Sequence, residues 1–121
     1  MILRKRKRPK MGIRKSDRVR SPGHLAFVRR FQCCVVGHSD TDCGGRIEAA
    51  HVRIGSDGGT GLKPGDDSVV PLCSLHHNKQ HQMGEISFGE QYNVNLKIIA
   101  AGFWDMSVHR IKHEQRRKRA K

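Results

Sequence analysis

The nine residues from position 73 to 81, CSLHHNKQH, carry four side chains that can bind a metal or move a proton. Cys73 and His76 have the two-residue separation of a zinc knuckle, which lets both side chains turn toward one tetrahedral ion. Four more candidate ligands precede them: Cys33, Cys34, His38 and Cys43. We expect Cys34, with His38 or Cys43, to complete a structural zinc site. The alternative is a set of buried or reactive thiols, which the interleaving of histidines with cysteines disfavours.

His77 and His81 indicate a second, separate metal site. On a helix that begins at residue 74 they are four positions apart, so they share one face with Cβ atoms about 6 Å apart. Two imidazoles in this arrangement can hold one divalent ion, such as magnesium, manganese or zinc. Alone, the pair would more often be two solvated surface histidines. Here the zinc knuckle fixes the start of the helix, which favours the metal site.

His51 is the candidate general base of that second site. Histidine changes charge near neutral pH, which suits it to remove a proton from an attacking water. A divalent ion beside it would polarise a scissile phosphate and stabilise the leaving 3′ oxygen. The alternative role of His51 is as a further metal ligand.

Three carboxylates are candidates to complete this site. Glu48 lies three residues before His51, so strand alternation places the two on opposite faces. Glu48 and Asp67 are candidate metal ligands, and Asp66 or Asp67 could orient His51. For each carboxylate, the alternative is a role in a turn or a helix cap.

The elements that must position these residues indicate an α+β fold. Ser21 and Pro22 mark the start of a helix to about Phe31. Residues 32–45 form an irregular knuckle, 46–53 a strand, 54–67 a loop and 69–70 a second short strand, ended by Pro71 and Cys73. Helices follow at about 74–83, 86–92 and 96–103. The result is a small metal-centred ββα unit flanked by helices, with residues 109–121 as a basic helix or a frayed end.

Charge divides the chain into three parts. Residues 1–30 carry a net charge of +11, residues 31–108 carry −4 and residues 109–121 carry +6. Two basic ends around an acidic middle favour a polyanionic partner, because each Lys or Arg that neutralises a phosphate releases a counterion. Neither end has an apolar face for a membrane surface, so we expect double- or single-stranded DNA. RNA stays open. The candidate contacts are Arg4, Lys5, Arg6, Lys7, Arg8, Arg53 and Lys79.

The N-terminus has no apolar run that would serve as a signal peptide or membrane span. We therefore expect a cytoplasmic protein, in a bacterium or a phage-infected host, where cysteines serve as metal ligands rather than disulfides. A domain of roughly 80 residues buries only about 60% of its unfolded surface, so a structural metal would add needed stability. We expect an arm at residues 1–20, a domain at 21–108 and a tail at 109–121.

The stretch IEAAHVRIGSDGGTGLKPGDDSVVPLCSLHHNKQHQMGEISF resembles phage and prophage HNH (His-Me finger) endonucleases. It is most similar to the Ref-like, RecA-dependent branch, and the resemblance covers about residues 24–104. It implies a ββα-metal fold, single-metal hydrolysis of phosphodiester bonds, a basic arm that holds DNA and a RecA-type recombinase as partner. By position it implies that His51 is the general base and that His77 and His81 bind the catalytic metal. Cys73 and His76 match the second half of the structural zinc knuckle.

Two positions depart from this family's pattern. Many of its members have a metal-binding residue directly before the strand histidine, where this chain has Ala50. The first knuckle is usually CxxC, but Gly37 occupies its second cysteine position and His38 follows. The sequence thus predicts a metal-dependent DNA endonuclease in phage recombination or DNA processing. The alternatives are a zinc-stabilised DNA-binding module without catalysis and a structural or packaging protein.

Overall fold

A computed structural model describes residues 18–36, 43–53 and 64–119. In these ranges it has five helices and a two-stranded antiparallel sheet, which confirms the predicted α+β class. In chain order the elements are α1 (Pro22–Val28), β1 (Ile47–His51), β2 (Val69–Cys73), α2 (Ser74–Met83), α3 (Glu85–Tyr92), α4 (Leu96–Asp105) and α5 (Val108–Arg119). The strands and α2 follow one another as a ββα unit.

β1 and β2 form a hairpin whose register runs from the pair Ile47–Cys73 to the pair His51–Val69. β2 is longer than the predicted strand at residues 69–70, because it continues through Pro71 to Cys73. The carbonyl of Pro71 accepts a hydrogen bond from the Cys34 N–H at 2.8 Å, on the side away from β1. The backbone of residue 71 therefore points outward, and its missing N–H costs the hairpin no hydrogen bond.

The hydrophobic core lies between the hairpin and the helices that follow it. Ala50, Val70 and Leu72 are fully buried, and Phe88 and Tyr92 of α3 belong to the same cluster. The side chains of Leu96 and Ala100 bring α4 onto it. α2 begins directly after β2, with the Cys73 sulfur accepting from the His76 N–H. The core thus holds α2 against the strand that carries His51.

α1 begins as predicted, with Pro22 in its first turn and the Ser21 hydroxyl accepting from the His24 N–H at 3.2 Å. It ends at Val28, earlier than the predicted Phe31. The Phe31 N–H bonds to the Val28 carbonyl three residues back, so the chain closes in a tighter turn rather than another α-helical one. Phe31 is 37% exposed, and its ring packs edge-on against Phe27 and Phe103.

The C-terminal segment is helical through α5, which buries none of its residues. Its last turn is entirely basic: Arg116, Arg117, Lys118 and Arg119. Over the residues that the structure describes, no helix combines the length and the apolar character needed to cross a bilayer.

Candidate functional site

Cys33, Cys43, Cys73 and His76 form a group whose four ligand atoms all lie within 4.8 Å of one another. The His76 Nδ1 is 3.0 Å from the Cys73 sulfur, 3.5 Å from Cys33 and 3.7 Å from Cys43. Three parts of the chain supply the group: the segment after α1, the segment before β1, and the junction of β2 with α2. A Cys3His group in this arrangement could hold a structural metal such as zinc.

Backbone hydrogen bonds hold the segment before β1 against the start of α2. The Leu75 N–H donates to the Gly44 carbonyl and the Ser74 N–H to the Arg46 carbonyl, both at 3.0 Å. Gly45 makes the turn between them with a φ of 81°, in the left-handed region that glycine tolerates. A side chain at position 45 would also collide with Ser74. This local packing brings Cys43 to the His76 imidazole.

Two of the three nitrogen–sulfur distances in this Cys3His group fit a tetrahedral ion, and the third, from Nδ1 of His76 to Cys73, is shorter at 3.0 Å. With zinc–sulfur bonds near 2.3 Å and zinc–nitrogen bonds near 2.0–2.1 Å, sulfur and nitrogen ligands should be about 3.6 Å apart. The separations from Nδ1 to Cys33 and Cys43 are 3.5 and 3.7 Å. One imidazole nitrogen can share at most one proton with its neighbours, so three surrounding sulfurs are better satisfied by a common cation. The donor set therefore suits zinc.

The Cys73 sulfur is prepared to carry charge. Burial raises the pKa of this thiol, but hydrogen bonds from the backbone N–H groups of His76 and Gly44 lower it, and the net direction is downward. Cys34 is in the opposite situation, because burial and the neighbouring Cys33 raise the pKa of its thiol to about 12. The pKa of Cys43 is also raised to about 12, by burial and by the neighbouring Cys33, so the positions of the sulfurs, rather than their acidity, distinguish the candidate ligands.

The structure thus brings together Cys43, Cys73 and His76 of the predicted zinc ligands, with Cys33 in place of the favoured Cys34. His38 lies outside the described residues. Spacing alone could not show which of the two adjacent cysteines, Cys33 or Cys34, faces the His76 imidazole. It depends on the turn after α1, in which Cys33 is 3% exposed and the Cys34 backbone bonds to β2.

His77 and His81 face each other on α2, with their Nε2 atoms 3.2 Å apart. The Nδ1 of His77 is 2.9 Å from an oxygen of Glu48 on β1. Both histidines keep partial exposure to solvent, so this pair lies at the surface of the ββα unit. The predicted helix geometry of the two histidines is therefore present, and Glu48 contacts the pair through His77.

His51 is the last residue of β1, and its Nε2 is 2.9 Å from Oδ1 of Asp66. The other oxygen of Asp66 accepts a hydrogen bond from the Ser21 N–H at 2.8 Å. Asp67 follows in the same turn, and its carboxylate packs against Gly65. Of the two aspartates considered at this position, Asp66 is the one that contacts the histidine.

α2 runs beside β1 in the same direction, since His77 contacts Glu48 and the Gln80 side chain donates to the His51 carbonyl at 3.5 Å. His51 and His81 therefore lie toward the same end of the unit. Ala50 is fully buried in the core, so no ligand reaches the surface from that position. In the described ranges, the Cys3His group is the single set of three or more such ligands that converge on one point.

The structure describes only two of the predicted DNA-contacting residues, Arg53 and Lys79. Arg53 and Lys79 lie near the ββα unit: the Arg53 N–H donates to Glu85 at 2.7 Å, and the Lys79 amine donates to the Tyr92 hydroxyl at 3.4 Å. The five basic residues from Arg4 to Arg8 are outside the part of the chain that the structure describes.

Comparisons with known proteins give one family and one curated relative. A family model described as "Protein of unknown function (DUF968)" matches residues 7–110. "Uncharacterized protein YdfU" of Escherichia coli (strain K12) is 38% identical over 58 residues, which is 47% of this chain. The match spans only 16% of that relative's length. No solved structure matches the chain.

Proposed function

This chain belongs to the DUF968 family of unknown function, and we propose that it is a metal-dependent, HNH-type endonuclease that hydrolyses phosphodiester bonds in DNA. Two observations carry the proposal: the pairing of His51 with Asp66 at the end of β1, and the pair His77–His81 on α2, the helix that runs alongside β1. A histidine paired with a carboxylate supplies a proton acceptor, and two imidazoles on one helix face supply a metal-binding edge.

His77 and His81 would hold the catalytic metal. Two nitrogen ligands 2.0–2.1 Å from one tetrahedral ion are about 3.4 Å apart, close to the observed 3.2 Å between their Nε2 atoms. Glu48 supports this arrangement because its contact with Nδ1 of His77 favours the tautomer whose Nε2 is free to bind metal. An ion bound there would polarise the scissile phosphate and stabilise the leaving 3′ oxygen.

His51 would accept the proton of the attacking water. Its side chain is 40% exposed, so a phosphate and a water can approach it. The fully buried Ala50 leaves no strand ligand beside it, so Glu48 and the α2 histidines are the protein groups nearest the proposed metal.

The Cys3His group would bind zinc as a structural element of the same unit. It ties the segments around Cys33 and Cys43 to the β2–α2 junction, which fixes the start of the helix that carries His77 and His81. A bound structural metal adds folding free energy directly. Two metals with different functions are therefore proposed for one small domain.

The partner is DNA because of charge. The chain carries +13 overall, and the exposed last turn of α5 adds four cations to the basic N-terminal residues. Contacts of this kind favour phosphate without reading sequence, and they weaken as salt rises. A role in phage recombination, with a RecA-type recombinase in the bacterial cytoplasm, rests on the resemblance to Ref-like nucleases.

The test is cleavage of supercoiled, linear and single-stranded DNA by the zinc-loaded protein in magnesium or manganese, with and without EDTA. We expect cleavage that EDTA abolishes and that falls about 10²–10⁴-fold in His51→Ala, with DNA affinity kept. His81→Ala should lose the catalytic metal, and higher manganese should partly restore it. Gln82→Ala, at the exposed neighbouring position, is the matched control and should cut normally.

Wild-type cleavage by His51→Ala would refute the proposed base. A second candidate function is a zinc-stabilised DNA-binding module without catalysis, which the buried Ala50 favours because a strand ligand is missing. Wild-type protein that binds DNA but cuts none of the three substrates in any divalent metal would support this second function.

A further inference from the structure

The carboxylate of Asp66 contacts two residues that are distant from each other in sequence, Ser21 and His51. Its Oδ2 accepts the Ser21 N–H at 2.8 Å, and its Oδ1 lies 2.9 Å from Nε2 of His51. Its own N–H donates to the Val19 carbonyl at 2.9 Å. Both carboxylate oxygens and the backbone N–H of Asp66 therefore have polar partners, and the side chain is only 18% exposed.

The turn that carries Asp66 has little freedom to move. Gly65 lies so close to the backbone of Val19 that a Cβ there would be 3.2 Å from its nitrogen and 2.6 Å from an oxygen of Asp67. The Ser68 N–H closes the turn on the Gly65 carbonyl at 3.2 Å. The carboxylate therefore has a fixed place relative to the start of α1.

We propose that Asp66, anchored by the backbone of residues 19–21, is a positioning residue that sets the tautomer and ring orientation of His51. This inference rests on the proposed nuclease function and adds to it the group that orients the base. A carboxylate accepts hydrogen bonds and donates none at neutral pH, so Nε2 of His51 is the protonated nitrogen. The nitrogen left to accept a proton from water is Nδ1.

The contacts of Asp66 with residues 19–21 explain how a residue outside β1 can hold the imidazole ring of His51 in place. The His51 side chain is 40% exposed, so its neighbours on the strand do not enclose it. The carboxylate of Asp66 restricts the His51 ring without burying it, because its other oxygen accepts from the N–H of Ser21, the N-cap residue of α1. Such positioning matters because a general base must lie within hydrogen-bond reach of the water it activates.

The experiment compares Asp66→Asn with the wild type in the full-length, zinc-loaded protein. Asparagine has the same shape but offers an amide that can donate to Nε2, which favours the opposite tautomer. We expect the long-range ¹H–¹⁵N spectrum of His51 to change from the Nε2–H to the Nδ1–H pattern. We expect kcat for DNA cleavage to fall about 10- to 100-fold, with little change in KM. Asp105→Asn removes the same charge from an exposed site on α4 and should change neither.

The outcomes separate this inference from the proposed function. Wild-type protein that cuts DNA, together with an Asp66→Asn variant of unchanged tautomer and unchanged kcat, overturns the role of Asp66 and leaves the nuclease intact. A wild-type protein that cuts nothing refutes the nuclease, and the tautomer spectra then decide whether Asp66 orients His51. A loss of kcat without a change of tautomer also refutes the positioning role.

Discussion

Cys33 and Cys34 are adjacent, yet their sulfur atoms lie in different surroundings. Cys33 faces the His76 imidazole at 3.5 Å, whereas burial keeps the Cys34 thiol protonated, with a pKa of about 12. At the residue scale, position decides which one can bind a metal, because the Cys33 sulfur lies within the Cys3His group and the Cys34 sulfur does not. The two cysteines therefore form a natural pair of test and control.

We predict that Cys33→Ser lowers bound zinc from one ion per chain to nearly none, and destabilises the domain by several kcal/mol because a structural metal is folding free energy. Cys34→Ser should keep its zinc and lose about 1 kcal/mol, as a partly buried substitution typically does. Metal content by mass spectrometry and thermal unfolding are the measurements. Equal zinc loss in both variants, or in neither, would contradict the assignment of Cys33.

At the scale of elements, α2 and α3 meet at a single residue, Gly84. It ends α2, begins α3, and has a φ of 85° and a ψ of 155°, a region of backbone space that only glycine occupies readily. The angle between the two helices depends on it. α2 carries the proposed metal ligands, and α3 carries the core residues Phe88 and Tyr92. This junction therefore connects the candidate site to the core.

We predict that Gly84→Ala destabilises the protein by about 1–3 kcal/mol. The cause is backbone strain alone, because a Cβ there would meet nothing within 4 Å. Gly102 is the control: it lies inside α4 with equally open space, so Gly102→Ala should stabilise by about 0.5–1 kcal/mol. Denaturant unfolding measures both. Gly84→Ala of wild-type stability would show that the backbone at this junction is not strained.

At the scale of the whole molecule, His24 connects the first helix to the last ones. It is fully buried, its Nδ1 is 2.9 Å from the Ser107 hydroxyl, and its ring packs edge-on against Trp104. The pKa of His24 is lowered to about 4, mainly by burial and secondly by nearby His109, while Asp66 opposes the shift. The packing of α1 against the C-terminal helices therefore depends on a neutral histidine.

The stability of the folded protein should consequently fall in acid. Between pH 6.5 and about 4 the unfolded chain protonates His24 and the folded chain does not, so its contribution is complete above pH 6.5 and lost as pH falls toward 4. The shift corresponds to roughly 3 kcal/mol. The measurement is the free energy of unfolding against pH for wild type and His24→Gln. Metal loss in acid affects both proteins, so their difference isolates His24, and parallel curves would contradict the prediction.

The amino-acid sequence by itself determined the α+β class, the helix that carries His77 and His81, and the cysteine-rich partners of Cys73 and His76. These features follow from local spacing, because side chains two to four residues apart in a helix or knuckle have nearly fixed geometry. It favoured Cys34 where the structure has Cys33, and it left open which of Asp66 and Asp67 orients His51.

Only the tertiary structure decided these choices. It alone also revealed the contact between Glu48 and His77. Each depends on where a turn meets a distant segment: Cys34 at β2, Asp66 at the start of α1, and Glu48 beside α2. Adjacent residues of a turn point in different directions, so packing against the distant segment decides which of the two makes the contact. The physical reason is that long-range contacts, unlike helix spacing, have no local signature.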